Sequence, residues 1–524
     1  MEYFKKHLIN KDILVICIIY TLAYGFLSFN IGIFWDDWSV YNVPTIGIEK
    51  QFYQNGYIPF AYFLKFVFST FKGVLFFRIL TFFIYLIISI ILYKLLMLIH
   101  IIDKKSKLII ALFFAVSPLN FSRISVVNVN HALNLFIFFI ASCLILYGKD
   151  KNFFIRLIVL GLLFLSFFTP SILVFYSILM LVYLYVNKQN INHFKNFINF
   201  SVKNSIYVIW PVFFWICRGK FFKPYGLIFG KYNDINLNIS NLINTFTDTL
   251  RFSLIKPLKM SLIILVNYPL LVLIIFCLVL LVLNFNKDTI VTSTLLQNLT
   301  LLIIGVFIFF IGAFAYMTVG KIPMMHDWHS RQQLLLPLGF AFILYYSVKL
   351  ILDLLHLNNT FRKITYTLAI TVFVSFNLIT FYQLQLDSVK QNALMYDIKH
   401  SDIIRSNKNF LFIDKYHSLN ALGRYYRFYE YTGMMKYAFG DTTRIGGNNQ
   451  EYVDIKLYNW LKPFEQYNMH ESNFVEPQYN VIISQGEKAI NYKSLVQFYY
   501  LRMFNTDKYN KLLNELVDLK FQKL

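Results

Sequence analysis

Ile33-Phe34-Trp35-Asp36-Asp37-Trp38-Ser39-Val40-Tyr41 sets two adjacent carboxylates between two tryptophans, a few residues past the first apolar stretch. Crowding like charges between large apolar rings raises the pKa of at least one of them. A carboxylate tuned in this way suits a general base for a hydroxyl or amide nucleophile. The same pair could hold a divalent cation, Mg2+ or Mn2+, through oxygen ligands, so residue types alone leave the metal open. The plainer reading is an aromatic belt with ordinary loop acids. Against it, acids are scarce in the loops on this side before residue 384: Asp36, Asp37, Glu49, Asp234, Asp248 and Asp327.

Gly320-Lys321-Ile322-Pro323-Met324-Met325-His326-Asp327-Trp328-His329-Ser330-Arg331-Gln332 is the second constellation. The planar fork of Arg331 fits phosphate oxygens in pairs, and Lys321 adds a point charge. Placed at the start of the next apolar helix, Arg331 would also have free backbone N–H groups beside it for an anion. His326 and His329 could join a phosphate site, or with Asp327 a metal. The plainer reading is a solvated loop whose arginine snorkels. Asn120-Phe121-Ser122-Arg123, followed by Asn128, Asn130 and His131, is the third. Polar residues at a helix mouth usually satisfy one another. The alternative has Arg123, Asn130 and His131 lining a cavity, since histidine at membrane depth is costly. Fourth, residues 218–259 carry seven basic residues against Asp234 and Asp248. Anionic headgroups or a phosphate-linked lipid would each suit them.

What must position these groups is a membrane bundle. The 524 residues are 57% apolar and only 15% charged, with mean hydropathy +0.54. Soluble domains carry about a quarter charged residues. Soluble enzymes, disordered chains and nucleic-acid-binding modules are thereby excluded for most of the length. Apolar stretches at 12–34, 74–99, 107–119, 127–147, 153–168, 171–187, 204–217, 260–284, 296–318, 333–352 and 364–383 predict about eleven transmembrane helices. The basic N-terminus predicts an uncleaved first helix that starts in the cytoplasm. The even-numbered connections, such as HIIDKKSK at 100–107, are mostly basic, as cytoplasmic loops should be. The odd ones, 35–73, 120–126, 169–170, 218–259 and 319–332, hold the unusual polar residues on the opposite side. Cys17, Cys143, Cys217 and Cys277 lie in or beside apolar spans with no ligand spacing, and read as lipid-side packing.

Net charge divides unevenly. Residues 1–383 hold 31 basic and 12 acidic residues, whereas 384–524 hold 18 and 15. That tail predicts a small extracytoplasmic α/β or α+β domain. NFLFID (409–414) and YNVIIS (479–484) read as strands and 494–521 largely as helix. Gly440 and Gly446-Gly447, with Asn448 and Asn449, read as turns. QFYQNGYIPFAYFLKFVFSTFK (51–72) suits an interfacial helix. No P-loop or G-x-G-x-x-G is present in the sequence.

An acidic pair just after the first span, a long first outer loop with an amphipathic segment, many helices and a C-terminal outer domain together resemble the GT-C superfamily of membrane glycosyltransferases. The resemblance implies a polyprenyl-phosphate-sugar donor, a lipid or glycan acceptor and no nucleic acid. It implies Asp36 or Asp37 as catalytic base. Donor phosphate would be held by Arg331, Lys321, Arg123, His329 and His326. Trp35, Trp38, Asn130, His131 and Asp327 would line the cavity. The expected organisation is a transmembrane domain over 1–383, with the catalytic loop at 35–73, and a separate domain over 384–524. The Lys-, Ile- and Asn-rich composition suggests a low-GC bacterium, and so its cytoplasmic membrane. Three rivals remain open at this point: a transporter or flippase of lipid-linked glycan, a glycan polymerase or ligase, and a scaffold subunit.

Overall fold

The computed structural model describes residues 11–40, 52–71, 73–148, 152–187, 194–224, 235–284, 294–325, 327–448 and 476–524. Expectations on Glu49, Lys231, Asp234, His326 and Asn449 lie outside the described residues. A helical bundle occupies most of the chain, and a small sheet lies near its C-terminus. The helices are α1 (Lys11–Tyr24, extended by a 3-10 turn to Phe29), α2 (Ile58–Thr70), α3 (Leu75–Met97), α4 (Lys104–Ala115), α5 (Val129–Tyr147), α6 (Phe153–Ser166), α7 (Pro170–Val186) and α8 (Phe194–Phe221). They continue with α9 (Ile239–Leu250), α10 (Lys256–Asn267), α11 (Pro269–Asn284), α12 (Leu295–Met317), α13 (Leu336–Leu354) and α14 (Asn359–His400).

Among the described residues six helices are long and apolar enough to cross a bilayer. They rise to seven if the α9–α10 and α11 pair, bent by 106°, counts as one. The expectation of eleven spans is therefore corrected. Helices α4, α6 and α7 have only 12, 14 and 17 residues. At 1.5 Å per residue they reach roughly 18–26 Å, short of the ~30 Å hydrocarbon core. The apolar stretch 107–119 runs four residues past the end of α4 at Ala115. Within 218–259, the described residues 239–259 form α9 and the start of α10, joined by a π-helical turn at Arg251–Ile255. Arg251, Lys256 and Lys259 interrupt the hydropathy without breaking the helix.

Polar contacts gather at the two ends of the bundle. At one end Asp12 pairs with Lys104 at 3.8 Å, Asp103 with Lys349 at 3.7 Å, and Asp353 accepts from Asn298 and Arg362. At the other, Asn120 N–H donates to Gln333 and Ser122 N–H to Ser330, and Ser253 donates to the carbonyl of Pro323. The connections after α4 and α12 thus meet at one end, and the one after α1 joins them there through Trp35 to Asp327 and Asp37 to Ser125. Helices α12 and α13 approach closely because Gly305, Gly312 and Gly339 line their contact, as small residues allow in membranes. A Cβ on Gly339 would stand 2.4 Å from the backbone nitrogen of Phe309. Gly339→Ala should cost about 1–3 kcal/mol of stability, read by thermal unfolding of the purified protein.

Helix α14 runs 42 residues without a break, started by Asn358, whose side chain accepts from Phe361 N–H at 2.9 Å. The boundary expected at 383/384 falls inside it, so this one rod carries the chain from the bundle into the C-terminal unit. There β1 (Asn409–Asp414), β2 (Ile445–Gly447), β3 (Tyr479–Gln485) and β4 (Val517–Lys523) form a sheet in the order β2-β1-β3-β4. Strands β1–β2 and β1–β3 are parallel, and β3–β4 is antiparallel. Helix α15 (Phe428–Phe439) packs on it, with Tyr431 stacked on Phe412 at 4.2 Å. A Cβ on Gly446 would meet Phe412 at 2.6 Å, so Gly446-Gly447 is strand beneath that stack, not turn. The stretch 494–521 is largely helix, as expected, in two pieces, α16 (Tyr492–Phe504) and α17 (Thr506–Leu516), and only its end from Val517 is strand, in β4. Asn505 ends the first helix and caps the second through Lys508 N–H. Helix α2 has two faces: Tyr62 and Phe66 are exposed, and Ala61, Leu64 and Val67 buried.

Candidate functional site

The residues after α1 form an extended segment that bends at Trp35, whose φ of +50° lies in the left-handed region. For a large non-glycine residue this costs about 1–3 kcal/mol and persists only where neighbours enforce it. Here they do. The indole N–H of Trp35 donates to Asp327, and its backbone N–H reaches Glu430 at 3.4 Å. The bend turns the two following carboxylates toward different surroundings.

Asp37 is buried. Its Oδ1 accepts from the Ser125 hydroxyl at 2.6 Å and from Val127 N–H at 3.0 Å. Its Oδ2 lies 3.4 Å from Arg78, which also donates to the carbonyl of Gly32. Both oxygens are engaged in holding the loop to α3 and to the 121–128 turns. Asp36 keeps 19% of its side chain exposed, 3.9 Å from the Arg331 guanidinium. Burial pushes its carboxyl up to about 6; Arg331 opposes the rise, while Asp37 and Asp327 add to it. The acidic pair is thus one anchor and one group poised to exchange a proton near neutrality.

Arg331 sits in the 3-10 segment Asp327–Gln333, stacked on Trp328 at 4.3 Å. It lies ahead of α13, not at that helix's first turn. Gln333 fixes the segment, accepting from Asn120 N–H and donating to Ser253 at 2.7 Å. Asp327 has φ +52°, and its second oxygen accepts from Arg427 at 3.0 Å. It is therefore a clasp joining the first loop, the α12–α13 connection and the C-terminal unit, and its oxygens are not free cavity lining. Lys321 is half-buried just beyond α12. Burial and Arg331 together push its ammonium down to about 8, which places it in the same electrostatic field. His329 is exposed on the same turn.

His131 lies at the start of α5, its Nδ1 3.1 Å from the Thr169 hydroxyl, which also accepts from Asn134 at 2.9 Å. Its ring stands edge-on to Tyr57 at 6.4 Å, and Arg331 is within electrostatic reach. Asn130 is buried and accepts from His131 N–H, a local turn contact. Two expectations are displaced. Arg123 is buried between Tyr24 and Tyr85, at 4.6 and 4.5 Å, and donates to the carbonyls of Leu119 and Asn120. Its fork is committed to the bundle, so it is no phosphate ligand. Trp38 is buried against α15, where a Cβ on Gly433 would meet it at 2.8 Å. It joins the loop to the C-terminal unit and does not line the site.

Two residues of the site were not foreseen. Arg427 is 42% exposed at the rim. Tyr429 lies close by, its hydroxyl held well above its ordinary value by burial and by the Asp36 charge. Both belong to a segment whose composition resembles any soluble surface, so nothing in the sequence marks them. As to metals, the described residues hold no group of three or more His, Cys, Asp or Glu at ligand spacing. Asp37 and Asp327 accept hydrogen bonds from protein donors, and Asp36 faces Arg331.

Asp327 also raises the Asp36 pKa by its charge. Asp327→Asn keeps an acceptor for Trp35 but removes that charge. The acid limb of any reaction that needs ionised Asp36 should therefore shift to lower pH, read from a pH–rate profile.

Deeper in the bundle, toward the α3–α4 connection, lies an apolar cavity of about 90 Å3 between α3, α5, α7, α12 and α13, lined by residues such as Leu92, Leu96, Phe138, Phe175, Leu179 and Ile308. Phe138 follows His131 and Asn134 at helical spacing, and Phe175 follows Ser171, so the polar floor and the cavity share helix faces. Neither a protein-family model nor a curated protein sequence matches the chain.

Proposed function

We propose that this chain is a membrane glycosyltransferase of the GT-C type. It moves a sugar from a polyprenyl-phosphate donor to an acceptor hydroxyl on the extracytoplasmic face of a bacterial cytoplasmic membrane. The observation that carries the reading is the half-buried Asp36 carboxylate 3.9 Å from Arg331, at one end of a helical membrane bundle. Asp36 takes the acceptor proton as the acceptor oxygen bonds to the anomeric carbon. The bond from that carbon to the phosphate oxygen breaks, and its electron pair leaves with the polyprenyl phosphate. Arg331, with Lys321 behind it and Arg427 at the rim, meets the charge growing on that phosphate, where fixed cations act most strongly. Isoprene units of the donor can lie along the faces of α5 and α7 that lead from His131 and Ser171 to the apolar cavity deeper in the bundle.

Turnover of a panel of radiolabelled polyprenyl-phosphate hexoses and pentoses in nanodiscs tests this. The wild type should release polyprenyl phosphate. Arg331→Ala should raise the donor KM by an order of magnitude or more, since a charged hydrogen bond contributes about 1.5–3 kcal/mol. If no donor on the panel is bound or consumed, the proposal fails. If donors cross a sealed vesicle membrane uncleaved, the protein is a transporter.

A further inference from the structure

The C-terminal unit turns an apolar helix face outward. In α16 Ser494, Leu495 and Phe498 pack into the unit, as an amphipathic helix should. The opposite face is not polar. Tyr492, Val496, Tyr500, Met503 and Phe504 are each between 61% and 72% exposed. At 3.6 residues per turn they form one stripe roughly 120° wide. A stripe of this kind on an ordinary domain surface marks an interaction site.

Two observations say what covers it. The first is depth. The Tyr499 hydroxyl lies 3.1 Å from the carbonyl of Phe29 and 2.5 Å from the side-chain oxygen of Gln385. Phe29 closes the first membrane span and is itself 65% exposed, and Gln385 lies on α14 where it leaves the bundle. The stripe therefore continues the lipid-facing surface of α1 at the level of the membrane boundary. The second is composition. Tyrosines are the residues that settle at that boundary. Lys493, Arg502, Lys508 and Lys511 stand against Asp507 along 493–511, although the tail as a whole is nearly neutral. An apolar stripe in a segment with a basic excess suits acyl chains below and phosphate headgroups nearby.

We propose that α16 is an interfacial membrane anchor, seated in the headgroup–acyl boundary of the leaflet next to the end of α1. The C-terminal unit is then held to the bilayer at two places, through α14 and through α16. Its Arg427 and Tyr429 rim keeps a fixed height over the site. The inference does not depend on the glycosyltransferase reading.

The test is spin-label accessibility on the full-length protein in nanodiscs of phosphatidylethanolamine and phosphatidylglycerol. The four native cysteines are replaced, and single cysteines are introduced as Val496→Cys, Tyr500→Cys, Met503→Cys and Asp507→Cys. The ratio of collisions with oxygen to collisions with a water-soluble nickel chelate should be several-fold higher at the first three positions than at Asp507→Cys. A ratio at 496, 500 and 503 equal to that at 507 puts the face in water and overturns the anchor. Low access to both reagents, with dipolar broadening that grows with the number of copies per nanodisc, assigns the face to a second copy and overturns it too. Where the cysteine-free background lowers yield, Val496→Trp in the natural chain gives a second reading. Its added emission should be quenched by brominated acyl chains, and unquenched emission overturns the anchor.

Discussion

Asp36→Asn should reduce sugar transfer by a factor of about 10^2–10^4, the range for losing a positioned general base, with yield, melting temperature and donor binding retained. The amide keeps the volume and the polar contacts of the Asp36 carboxylate but cannot take the acceptor proton. The neighbouring substitution should behave in the opposite way. Asp37→Asn leaves Arg78 buried without its counter-charge and weakens the hold on Ser125 and Val127. Removing one partner of a buried pair costs about 3–5 kcal/mol, so this variant should be lost as folded protein and not as turnover number. Size-exclusion yield and transfer per folded molecule separate the two. The wild-type pH profile carries the same assignment. The Asp36 carboxyl is raised to about 6 by burial, and the base works only when ionised. Transfer should therefore rise with pH through about 6. A profile flat between pH 5 and 7, or an Asp37→Asn protein that folds normally and is inactive, would overturn the choice of Asp36.

The sequence separates these roles only in part, for a physical reason. Asp36-Asp37 stood out because adjacent acids between tryptophans are costly, and cost is legible. Which acid is anchored depends on Ser125, Val127 and Arg78, which lie 41–90 positions away. Arg123 and Arg331 look alike as basic residues near helix mouths. One meets two tyrosine rings from other helices and the other meets an aspartate, and neither partner is local. Strands β1 and β3 were legible because each is a short apolar run, whereas β4 (VDLKFQK) alternates and follows a helix without a break. The span count exceeded the structure because composition reports apolarity and a crossing requires length. Arg427 and Tyr429 stayed hidden because a soluble composition carries no mark of which face turns toward a membrane site.

The network behind the site is where the second large effect belongs. Arg424 is buried, with its Nε 2.7 Å from Asp387 and its Nη1 2.6 Å from Glu430. Asp387 also accepts from the Tyr426 hydroxyl at 2.6 Å and from Ala421 N–H at 3.2 Å. Against the burial that works to lower it, Asp387 and Glu430 hold the Arg424 guanidinium well above its ordinary value, so the cation is permanent. Asp387→Ala strips Arg424 of its bidentate partner, leaves Glu430 as its one carboxylate in this pair of contacts, and takes the acceptor from the Tyr426 hydroxyl and Ala421 N–H. Breaking such a pair should cost about 3–5 kcal/mol, seen as a lower midpoint in thermal unfolding. The double variant Asp387→Ala/Arg424→Met removes both members of the pair and leaves Glu430 without its cation. It should lose less than the two single losses added together, with a coupling of about 0.5–3 kcal/mol in a double-mutant cycle. The loss should also reach the chemistry. Glu430 bonds both Arg424 and the backbone N–H of Trp35, the residue whose left-handed turn aims Asp36. At a temperature where Asp387→Ala remains folded, its transfer rate should fall while donor binding at Arg331 persists, because the base has lost its aim and the phosphate site has not. Equal rates per folded molecule in variant and wild type would show that the C-terminal unit merely stabilises the fold and does not set the geometry of the base.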